Sequence, residues 1–456
     1  MSSSVPPVPA VWLATRDLRV HDNPALAAAA EAGGGCVLPL FVLDPAVPKP
    51  GARFGFLAEA LADLDASLRA RGAGLVVRQG DAAEEAVRAA LTVGARAVCV
   101  AQDVSAHARA REARLARLCA ENGLDLRLCA GQTVIDPGAI APGDGESGPP
   151  FYQVFTPYWR RWAATPARGI ALMVERLSLP AGVEGGGLPT AAPLAAALRG
   201  GETAGVERVR WWLAGPVAEY DAVRDDLAID RTSRLSPYLH LGCISAVALA
   251  ARLRGRPECE PFLRQVCWRD FYAQLLAARP AIAGEDFRSR GDIWRDDHQA
   301  LEAWQHGLTG YPVVDAAMRQ LLGEGFVHNR ARMIAASFLT KHLGIHWREG
   351  ARHYARHLID GDVASNAGNW QWVAGTGADT KPHRVFNPTL QAQRHDPAGD
   401  YVRRWVPELA HVPGAAVHEP WRLSLAERAA LGYPPPLVDH AEALAAYRAR
   451  TARVEA

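Results

Sequence analysis

The segment Asp360-Gly-Asp-Val-Ala-Ser-Asn-Ala-Gly-Asn-Trp-Gln-Trp372 combines acids, side-chain amides and two tryptophans in one helical stretch. An α-helix turns about 100° per residue, so Asp362, Asn366 and Trp370 share one face. Trp372 lies two positions after Trp370 and points to roughly the opposite side. One face can therefore offer hydrogen bonds and an aromatic ring to a buried cofactor, and the other an aromatic platform to an external ligand. Alternatively, the segment is a buried helix with ordinary core tryptophans.

The composition is that of a globular protein. The chain has 456 residues, 49% hydrophobic and 22% charged, and its formal net charge of +1 gives no overall indication of nucleic-acid binding. No apolar run is long enough to span a bilayer, and the N-terminus lacks the pattern of a signal peptide. The seven scattered cysteines contain no Cys-x-x-Cys pair, which predicts reduced thiols in a cytoplasmic protein.

The first third of the chain alternates short β-type apolar runs with alanine-rich helical stretches. This alternation predicts an α/β fold with a doubly wound parallel sheet in residues 1–130. No G-x-G-x-x-G sequence follows the first strand, so a standard dinucleotide site is not predicted there. The predicted strands are residues 11–14, 36–43, 75–78, 97–101 and 126–129, with helices at 54–71, 82–91 and 106–122.

The rest of the chain divides at about residue 201. Residues 131–201 are rich in Gly and Pro, which predicts a long linker interrupted by a helix at 155–164. From residue 202 to 456 helical periodicity dominates, which predicts an all-helical C-terminal domain. One predicted helix begins after an N-cap at Ser245. The others are predicted at residues 262–278, 312–322, 329–343, 347–359 and 434–456.

A hydroxyl-rich segment precedes one predicted helix. Thr232 and Ser233 flank Arg234, and Ser236-Pro237 has the composition of an N-cap followed by the first helical residue. Free N–H groups at a helix start, together with a guanidinium, suit a phosphate or pyrophosphate. The same residues also fit a plain capped helix start.

Several blocks of sequence together carry a resemblance to a known family. The segment Gln265-Val-Cys-Trp-Arg-Asp-Phe-Tyr272 mixes aromatic rings with an arginine, as an unstacked base would favour, although such helices also occur in cores. With the blocks at 12–23, 232–236, 309–319, 329–341, 347–348 and 360–372, the chain resembles the DNA photolyase/cryptochrome flavoproteins. It is most similar to the bacterial class I cyclobutane pyrimidine dimer photolyases, and the resemblance runs from residue 12 to about 436.

The resemblance implies a light-driven DNA repair lyase whose C-terminal all-helical domain binds FAD. Reduced FAD is expected to pass an electron to a pyrimidine dimer. The protein is expected to orient the cofactor, exclude water and supply the electrostatic environment, without a metal. The expected partner is DNA containing pyrimidine dimers, with the lesion flipped out of the helix as is general for the family. The protein is expected to act as a monomer and not at a membrane.

The resemblance also implies the residues that hold FAD. Tyr220 and the hydroxyl-rich segment are expected at the phosphates, and Asn366 beside flavin N5, where an amide stabilises the reduced ring. Arg332 and Asp360 are expected to form a salt bridge, because buried charges need such pairing. The implied cofactor-binding residues are Tyr220, Thr232, Ser233, Arg234, Leu235, Ser236, Arg332, Asp360, Gly361, Asp362 and Asn366.

A chain of tryptophans is implied from the flavin to the surface. Trp370, Trp347 and Trp294 stand at the family's spacing and, with Asn366, are the expected catalytic residues. The alternative is that Trp347 and Trp294 are packing residues.

On the outer side, Trp268 and Trp372 match the aromatics that grip a flipped-out dimer. The implied residues at DNA and the dimer are Gln265, Trp268, Arg269, Tyr272, Asn329, Arg330, Met333 and Trp372. Cationic residues are expected to contact phosphates where they are not simply solvated. These cations are Arg330, Arg332, Lys341, Arg348, Lys381, Arg384, Arg394, Arg403 and Arg404.

Gln265 departs from the class I pattern, in which a carboxylate contacts the dimer. Glutamine at that place is typical of (6-4) photolyases and animal cryptochromes, yet their His-rich motif is absent at His328-Asn329-Arg330. An amide can still hydrogen-bond thymine, but it cannot donate a proton as an acid can. We therefore expect dimer repair and keep the (6-4) photolyase as the alternative.

A second, antenna chromophore is a further expectation. Arg53 and Asp103 resemble contacts in relatives that bind an 8-hydroxy-5-deazaflavin, and a lysine found near that antenna corresponds to His240. The alternative is that these are ordinary loop charges. Two other functions stay open: a cryptochrome-type blue-light photoreceptor, which usually carries a long C-terminal extension, and a dark flavin oxidoreductase, for which no nicotinamide site is visible.

Overall fold

The computed structural model describes residues 8–45, 51–142, 150–192, 198–381 and 383–455. The chain forms two compact units, one comprising Met1–Val217 and Ser233–Pro280 and the other Ala218–Thr232 and Ala281–Ala456. These units differ from the domains predicted with boundaries at residues 130 and 201, because the segments 202–217 and 233–280 pack with the sheet-containing unit. Residues 143–149 and 193–197 of the predicted linker lie outside the described residues, as do residues 1–7 and 456.

The first unit contains a parallel five-stranded sheet in the order β3-β2-β1-β4-β5. Its central strands are Val-, Leu- and Ala-rich and buried along their whole length, as expected of strands covered on both faces. The predicted fold and each predicted strand are confirmed to within one residue. The strands are β1 Ala10–Ala14, β2 Val37–Leu43, β3 Val76–Gln79, β4 Ala97–Ala101 and β5 Asp125–Cys129.

Helices separate the strands and continue beyond the sheet. The first helix was not expected from the sequence, although Asn23 caps it by accepting from the Leu26 N–H at 3.0 Å and Pro24 occupies its first turn. The helices are α1 Pro24–Ala32, α2 Ala52–Arg69, α3 Ala82–Thr92, α4 Ala106–Glu121, α5 Phe155–Ala164, α6 Glu202–Leu213, α7 Pro216–Val223, α8 Ser236–Leu241, α9 Ala246–Leu253 and α10 Glu260–Ala278.

The linker is tied to the edge of the sheet. The Gly186 carbonyl accepts from the Val77 N–H at 2.8 Å, and the Ser178 carbonyl accepts from the Val37 N–H at 2.9 Å. These bonds satisfy backbone groups of β2 and β3 that would otherwise face solvent. The linker is therefore an ordered part of the first unit over these residues.

The second unit is helical and packs around a core that includes the fully buried side chains of Trp304, Trp347, Phe338 and Tyr401. The helix predicted at 329–343 ends at Ser337 and continues as a π-helical turn, Phe338–His342. The helices are α11 His298–His306, α12 Pro312–Glu324, α13 Asn329–Ser337, α14 Trp347–His357, α15 Val363–Ala374, α16 Pro388–His395, α17 Asp400–Trp405, α18 Leu425–Leu431 and α19 His440–Glu455.

The conspicuous block at 309–319 has a structural role. The buried Asp315 carboxylate accepts from the N–H groups of Thr309 and Gly310 at 2.7 and 3.1 Å and from the hydroxyl of Tyr433. These bonds close the turn before α12 and attach the tail to it.

Among the residues described, no helix combines the length and apolarity needed to cross a membrane. The seven cysteines are free thiols, six of them buried and Cys129 partly so.

Candidate functional site

The hydroxyl-rich segment around Arg234 has an unusual backbone. Arg234 has a φ of 48°, in the left-handed region that non-glycine residues rarely adopt. The Ser233 carbonyl accepts from Nε of Arg208 at 2.7 Å. The expected N-cap at Ser236 is wrong, because Leu235 already has helical angles and is itself the cap, without a side-chain bond. Strained, tethered backbone of this kind is typical of functional loops.

The second unit contains the other residues expected at the phosphates. Asp230 also has a positive φ, 44°, and accepts a hydrogen bond from the Thr232 hydroxyl at 3.2 Å. Tyr220 lies in α7 with the guanidinium of Arg224 5.9 Å from its ring centre. Burial raises the pKa of Tyr220 to about 12, so its hydroxyl stays a neutral hydrogen-bond donor at physiological pH.

One face of α10 collects the residues expected at the lesion in the first unit. Gln265, Trp268, Arg269 and Tyr272 are spaced by three, four and seven residues and therefore share that face. The Trp268 ring stacks on Phe155 of α5, with centroids 3.8 Å apart and planes 5° from parallel. The Tyr272 ring centre is 5.4 Å from that of Trp268, and Gln265 is exposed. Trp268 is thus a fixed platform, and the resemblance alone did not indicate Phe155.

Arg269 is used for internal contacts. Its Nη1 donates to the Gln132 carbonyl at 2.6 Å, and its Nη2 to Gln132 Oε1 and the Leu239 carbonyl at 3.1 and 3.3 Å. The fork of the guanidinium matches three acceptors within the protein. This geometry favours a structural role for Arg269 over contact with DNA.

Asp270, on the opposite side of α10, is a buried carboxylate that no sequence pattern indicated. Its Oδ2 accepts from the N–H groups of Val134 and Ile135 at 2.9 and 3.1 Å and from Nε1 of Trp162 at 2.8 Å. Burial raises the pKa of Asp270 to about 6 despite the neighbouring Arg269. Asp270 therefore attaches two segments of the linker to the helix that carries Trp268.

The residues expected near an antenna are connected through Arg16. Its Nη1 forms an ion pair with Asp103 Oδ2 at 2.8 Å, and its Nε donates to the His240 carbonyl at 2.9 Å. Its Nη2 lies 3.1 Å from His240 Nδ1. Arg53, half-buried, lies in α2. Asp103 and His240 are thus brought together, and Arg16, which joins them, was not predicted.

The expected Arg332–Asp360 pair is present in the second unit. Nη2 of Arg332 lies 2.9 Å from Asp360 Oδ2, and its Nε donates to the Val327 carbonyl at 2.7 Å. The carboxylate is almost fully buried and the guanidinium mostly so. Each charge offsets part of the other's desolvation penalty, so loss of either partner would leave an uncompensated buried charge.

The start of α15 is fixed by Asp362. Its Oδ1 caps the helix by accepting from the Ser365 N–H at 2.8 Å. Gly361 precedes it, and the Asp362 N–H donates to the Asp360 carbonyl at 2.7 Å across that residue. One turn later, Nδ2 of Asn366 donates to the Ala351 carbonyl of α14 at 2.9 Å. That bond orients the amide and leaves its carbonyl oxygen and second N–H for other partners.

Trp370 lies in a buried aromatic cluster. Its ring centre is 5.0 Å from Tyr354 and 6.0 Å from Trp304, both edge to face. It also lies directly over Gly350 of α14, where an added Cβ would stand 2.1 Å from the indole. The absence of a side chain at Gly350 therefore makes room for Trp370.

Trp372 points away from this cluster, as predicted. It is half-buried, and its Nε1 donates to the Asp379 carbonyl at 3.0 Å. Between the two tryptophans, the buried Gln371 accepts from the Phe287 N–H at 2.7 Å and donates to the carbonyls of Ile282 and Glu285 at 2.7 and 3.0 Å. Gln371 thus holds a loop on α15.

The His346 ring contacts both Trp347 and Trp294. The His346 ring centre is 4.9 Å from that of Trp294 and 5.8 Å from that of Trp347. Trp347 is fully buried and Trp294 partly so. Nε1 of Trp347 donates to Asp286 Oδ1 at 2.7 Å. This carboxylate was missed because it lies 61 residues away in the sequence.

The remaining residues expected at the lesion lie at the start of α13. Nδ2 of Asn329 is 3.6 Å from Sδ of Met333, and Asn329 is exposed. Nε and Nη2 of Arg330 donate to Oδ1 and Oδ2 of Asp225 at 3.2 and 2.6 Å. This bidentate pair directs Arg330 to the protein.

Lys341 cannot contact DNA phosphates as expected, because it is 3% exposed. Its ammonium donates to the Ala374 carbonyl and, at 3.1 Å, to the Tyr447 hydroxyl. Burial lowers the pKa of Lys341 to about 8. Arg403 likewise donates to the Val412 and Gly414 carbonyls at 2.7 and 2.9 Å. The exposed members of the cationic set are Arg348, Lys381, Arg384, Arg394 and Arg404.

The residues present fit FAD by their chemistry. The hydroxyls of Thr232 and Ser233 and the strained Arg234 match the donors that a pyrophosphate requires. The Arg332–Asp360 pair offers both a donor and an acceptor, as the polar edge of a flavin ring requires.

Comparison with known proteins gives consistent matches along the chain. Residues 10–177 match the family described as DNA photolyase, and residues 262–453 that described as the FAD binding domain of DNA photolyase. A Streptomyces griseus protein named deoxyribodipyrimidine photo-lyase is 51% identical over 97% of this chain and 99% of its own length. A class III photolyase from Agrobacterium tumefaciens aligns with a TM-score of 0.92 and 35% identity, over 100% of this chain and 99% of its own. A Synechocystis sp. PCC6803 cryptochrome aligns with a TM-score of 0.86 and 30% identity, over 98% and 100%.

Proposed function

The chain belongs to the DNA photolyase family, and from this premise we propose that it repairs cyclobutane pyrimidine dimers in DNA by light-driven electron transfer from reduced FAD. The observation that carries the proposal is helix α15. Its Asn366 and Trp370 face α14 and the core, whereas Trp372 lies on the opposite side. One helix therefore carries groups suited to a cofactor and, separately, an outer aromatic ring.

FAD would be held by the residues that the sequence assigned to it. Thr232, Ser233 and Arg234 would bind its phosphates, and Arg332 with Asp360 would fix the flavin through their paired charges. When bound, reduced FAD supplies the light-excited electron that splits the dimer. The protein orients the ring and excludes water from it.

The lesion would be gripped by aromatic rings. Trp268 presents a ring whose other face is covered by Phe155, so it needs little ordering when a base stacks on it. Gln265 and Asn329 are exposed amides that can pair with the base edges, which have both donors and acceptors. Stacking supplies affinity, and the amides supply orientation.

Electrons that return the flavin to its reduced form would pass along the tryptophans. Trp370 is buried in the aromatic cluster, Trp347 is buried nearby in α14, and Trp294 is partly exposed beside His346. Trp294 is thus the member of the proposed chain that solvent reaches, which is what refilling from an external reductant requires.

An antenna chromophore of the 8-hydroxy-5-deazaflavin type is a further part of the proposal. It is supported by Arg53 and by the adjoining Asp103 and His240, which Arg16 connects. We expect the protein to act as a monomer in the cytoplasm, where free thiols persist.

The test is a repair assay. Purified protein loaded with FAD is incubated with oligonucleotides that contain either a cyclobutane dimer or a (6-4) lesion, in the light and in the dark. We expect restoration of the dimer substrate in the light only. The proposal is refuted if the FAD-loaded protein leaves dimers intact under illumination.

The (6-4) photolyase is the second candidate, and one residue favours it. Gln265 replaces the carboxylate of the class I enzymes and is exposed on the α10 face beside Trp268. Repair of the (6-4) substrate in the same assay would establish this alternative. A protein that binds FAD and repairs neither lesion would instead be a cryptochrome-type photoreceptor.

A further inference from the structure

The buried indole of Trp347 has a carboxylate partner. Trp347 is 0% exposed, and its Nε1 donates to Oδ1 of the half-buried Asp286 at 2.7 Å. Hydrogen bonds to an ionised acceptor are shorter and roughly twice as strong as those between neutral groups. A neutral tryptophan in a core could be satisfied by a backbone carbonyl, as Trp304 is by Ala335 at 3.0 Å. Trp12 and Trp162 also donate to carboxylates, so what sets the Asp286 contact apart is that Trp347 belongs to the proposed tryptophan chain.

Asp286 is held in place by α15. The side chain of Gln371, 1% exposed, makes hydrogen bonds to the backbone of Ile282, Glu285 and Phe287, on both sides of Asp286. Gln371 directly follows Trp370. The helix that carries one tryptophan of the proposed chain thus positions the acid that contacts the next.

Three other titratable groups, Arg348, His346 and Glu349, lie close to Trp347 in the sequence. The guanidinium of Arg348 lies 5.9 Å from the Trp347 ring centre. Burial, and secondly Arg348, lower the pKa of His346, which is therefore neutral at physiological pH. Glu349 pairs with Arg352. Asp286 therefore places a negative charge at the Trp347 indole, in addition to the cation of Arg348.

We propose that Asp286 stabilises the positive charge that Trp347 acquires when it passes an electron to Trp370. This inference rests on the tryptophan chain of the proposed function. Trp370 gives one electron to the photoexcited oxidised flavin, and Trp347 gives one electron to Trp370. No covalent bond is broken: the proton stays in the Nε1–H···Oδ1 hydrogen bond, and a single positive charge lies beside a single negative one. An external thiol then returns one electron through Trp294.

Asp286 is thus a positioning residue that acts through Trp347. Its charge makes oxidation of Trp347 easier relative to Trp370, so the positive charge moves outward and recombines more slowly. A unit charge within about 5 Å in this setting shifts such an equilibrium by roughly tenfold or more.

The test compares three variants of the FAD-loaded protein after a laser flash. Asp286→Asn keeps the size and an acceptor oxygen but removes the charge, and Asp286→Glu restores the charge. Asp296→Asn is the matched control, because the Asp296 side chain is 91% exposed and its partner is His298. We expect Asp286→Asn to shorten the lifetime of the tryptophan radical by about tenfold, Asp286→Glu to recover most of it, and the control to match the wild type.

A second measurement needs no light. In the dark, the indole N–H proton resonance of Trp347, assigned by its loss in Trp347→Phe, should lie downfield in the wild type and move upfield in Asp286→Asn. If Asp286→Asn does not retain FAD, Asp286→Ser takes its place, because it keeps an acceptor oxygen, removes the charge and should shorten the radical lifetime in the same way.

The outcomes separate this inference from the proposed function. If Trp347→Phe loses photoreduction but Asp286→Asn, or Asp286→Ser in its place, keeps the wild-type radical lifetime, the role of Asp286 alone is overturned. Unchanged photoreduction in Trp347→Phe would overturn the tryptophan chain and with it this inference.

Discussion

Trp268 and Trp372 are the side chains on which recognition of damaged DNA is proposed to depend. Each Trp→Ala change removes an aromatic surface and should weaken binding of damaged DNA by roughly 1–3 kcal/mol, the usual value for base–aromatic stacking. Affinity is measured by fluorescence anisotropy with damaged and undamaged duplexes. Binding of undamaged DNA should change little, because phosphate contacts dominate it. Equal losses on both duplexes would contradict a specific grip on the lesion.

Under the proposed function, with the cyclobutane dimer as substrate, we expect Gln265 to affect how efficiently each photon is used. The amide keeps hydrogen-bonding capacity but cannot donate a proton as an acid does. Gln265→Glu should therefore raise the quantum yield of dimer splitting, with affinity changed by no more than about 1 kcal/mol. Yield is measured by actinometry under single-turnover conditions, with Gln265→Ala as the comparison. A lower yield in Gln265→Glu would show that the amide is the better residue at this position.

The family resemblance predicted ion pairs and helix faces better than it predicted contacts between residues that are far apart in the sequence. Arg332–Asp360 and the opposed directions of Trp370 and Trp372 were expected and are found. The contacts of Asp286 and Arg16 cross 61 and 224 residues, so no local pattern could have indicated them. The burial of Lys341 was missed because its neighbour Tyr447 belongs to a distant helix.

The elements themselves were largely predictable, because strands and helices follow from local periodicity. The strands of the sheet agree to within one residue. The helices that were not predicted are mostly short, with nine residues or fewer in all but α6, so their periodicity is weak; they are α1, α6, α7, α11, α16, α17 and α18. The helix predicted at 434–456 begins only at His440. The π-helical turn that follows α13 was also not predictable, since its wider winding depends on the tertiary contacts of Lys341 and His342.

Helices α14 and α15 pack closely at Gly350. A Cβ there would stand 2.1 Å from the Trp370 indole, a rigid and buried neighbour. Gly350→Ala should therefore destabilise the protein by about 1–3 kcal/mol through overpacking and slow photoreduction by displacing Trp370. Urea unfolding and the photoreduction rate measure the two effects. Gly215→Ala, where an added Cβ meets nothing within 4 Å, is the control and should change neither.

Helix α10 is attached to the linker by an acid whose ionisation is disfavoured. The pKa of Asp270 is raised from 3.8 to about 6 by burial. Below pH 3.8 both the folded and the unfolded chain bind the proton, and between pH 3.8 and 6 only the folded chain retains it. The contribution of Asp270 to the free energy of unfolding should fall by about 3 kcal/mol as pH rises through this interval, at 1.36 kcal/mol per pKa unit.

Asp270→Asn makes this contribution measurable, because an amide does not titrate. The difference in free energy of unfolding, wild type minus Asp270→Asn, should decrease between pH 4 and 6 and be constant above that range. Urea titrations across pH provide the values. The corresponding difference for Asp296→Asn, a highly exposed acid, should be flat. A flat difference for Asp270→Asn as well would show that its carboxyl titrates normally.

For the molecule as a whole, a net charge of +1 means that DNA binding depends on local positive charge. Lys381 and Arg384 are exposed, whereas Lys341 is buried. Removing one phosphate contact lowers the slope of log K against log salt by about 0.9. Lys381→Ala and Arg384→Ala should each reduce the slope by about that amount, and Lys341→Met should leave it unchanged. A reduced slope for Lys341→Met would mean that the folded protein exposes this lysine when it binds.

The attachment of the linker at both of its ends has a consequence for proteolysis. Residues 134–135 and Trp162 are bonded to Asp270, and Ser178 and Gly186 are bonded to β2 and β3, whereas Ile170 and Leu172 between them are 54% and 87% exposed. A protease would therefore find its site in the exposed stretch, yet a cut there would free neither side. The nicked chain would run as two fragments on a denaturing gel and still elute as one particle in native buffer.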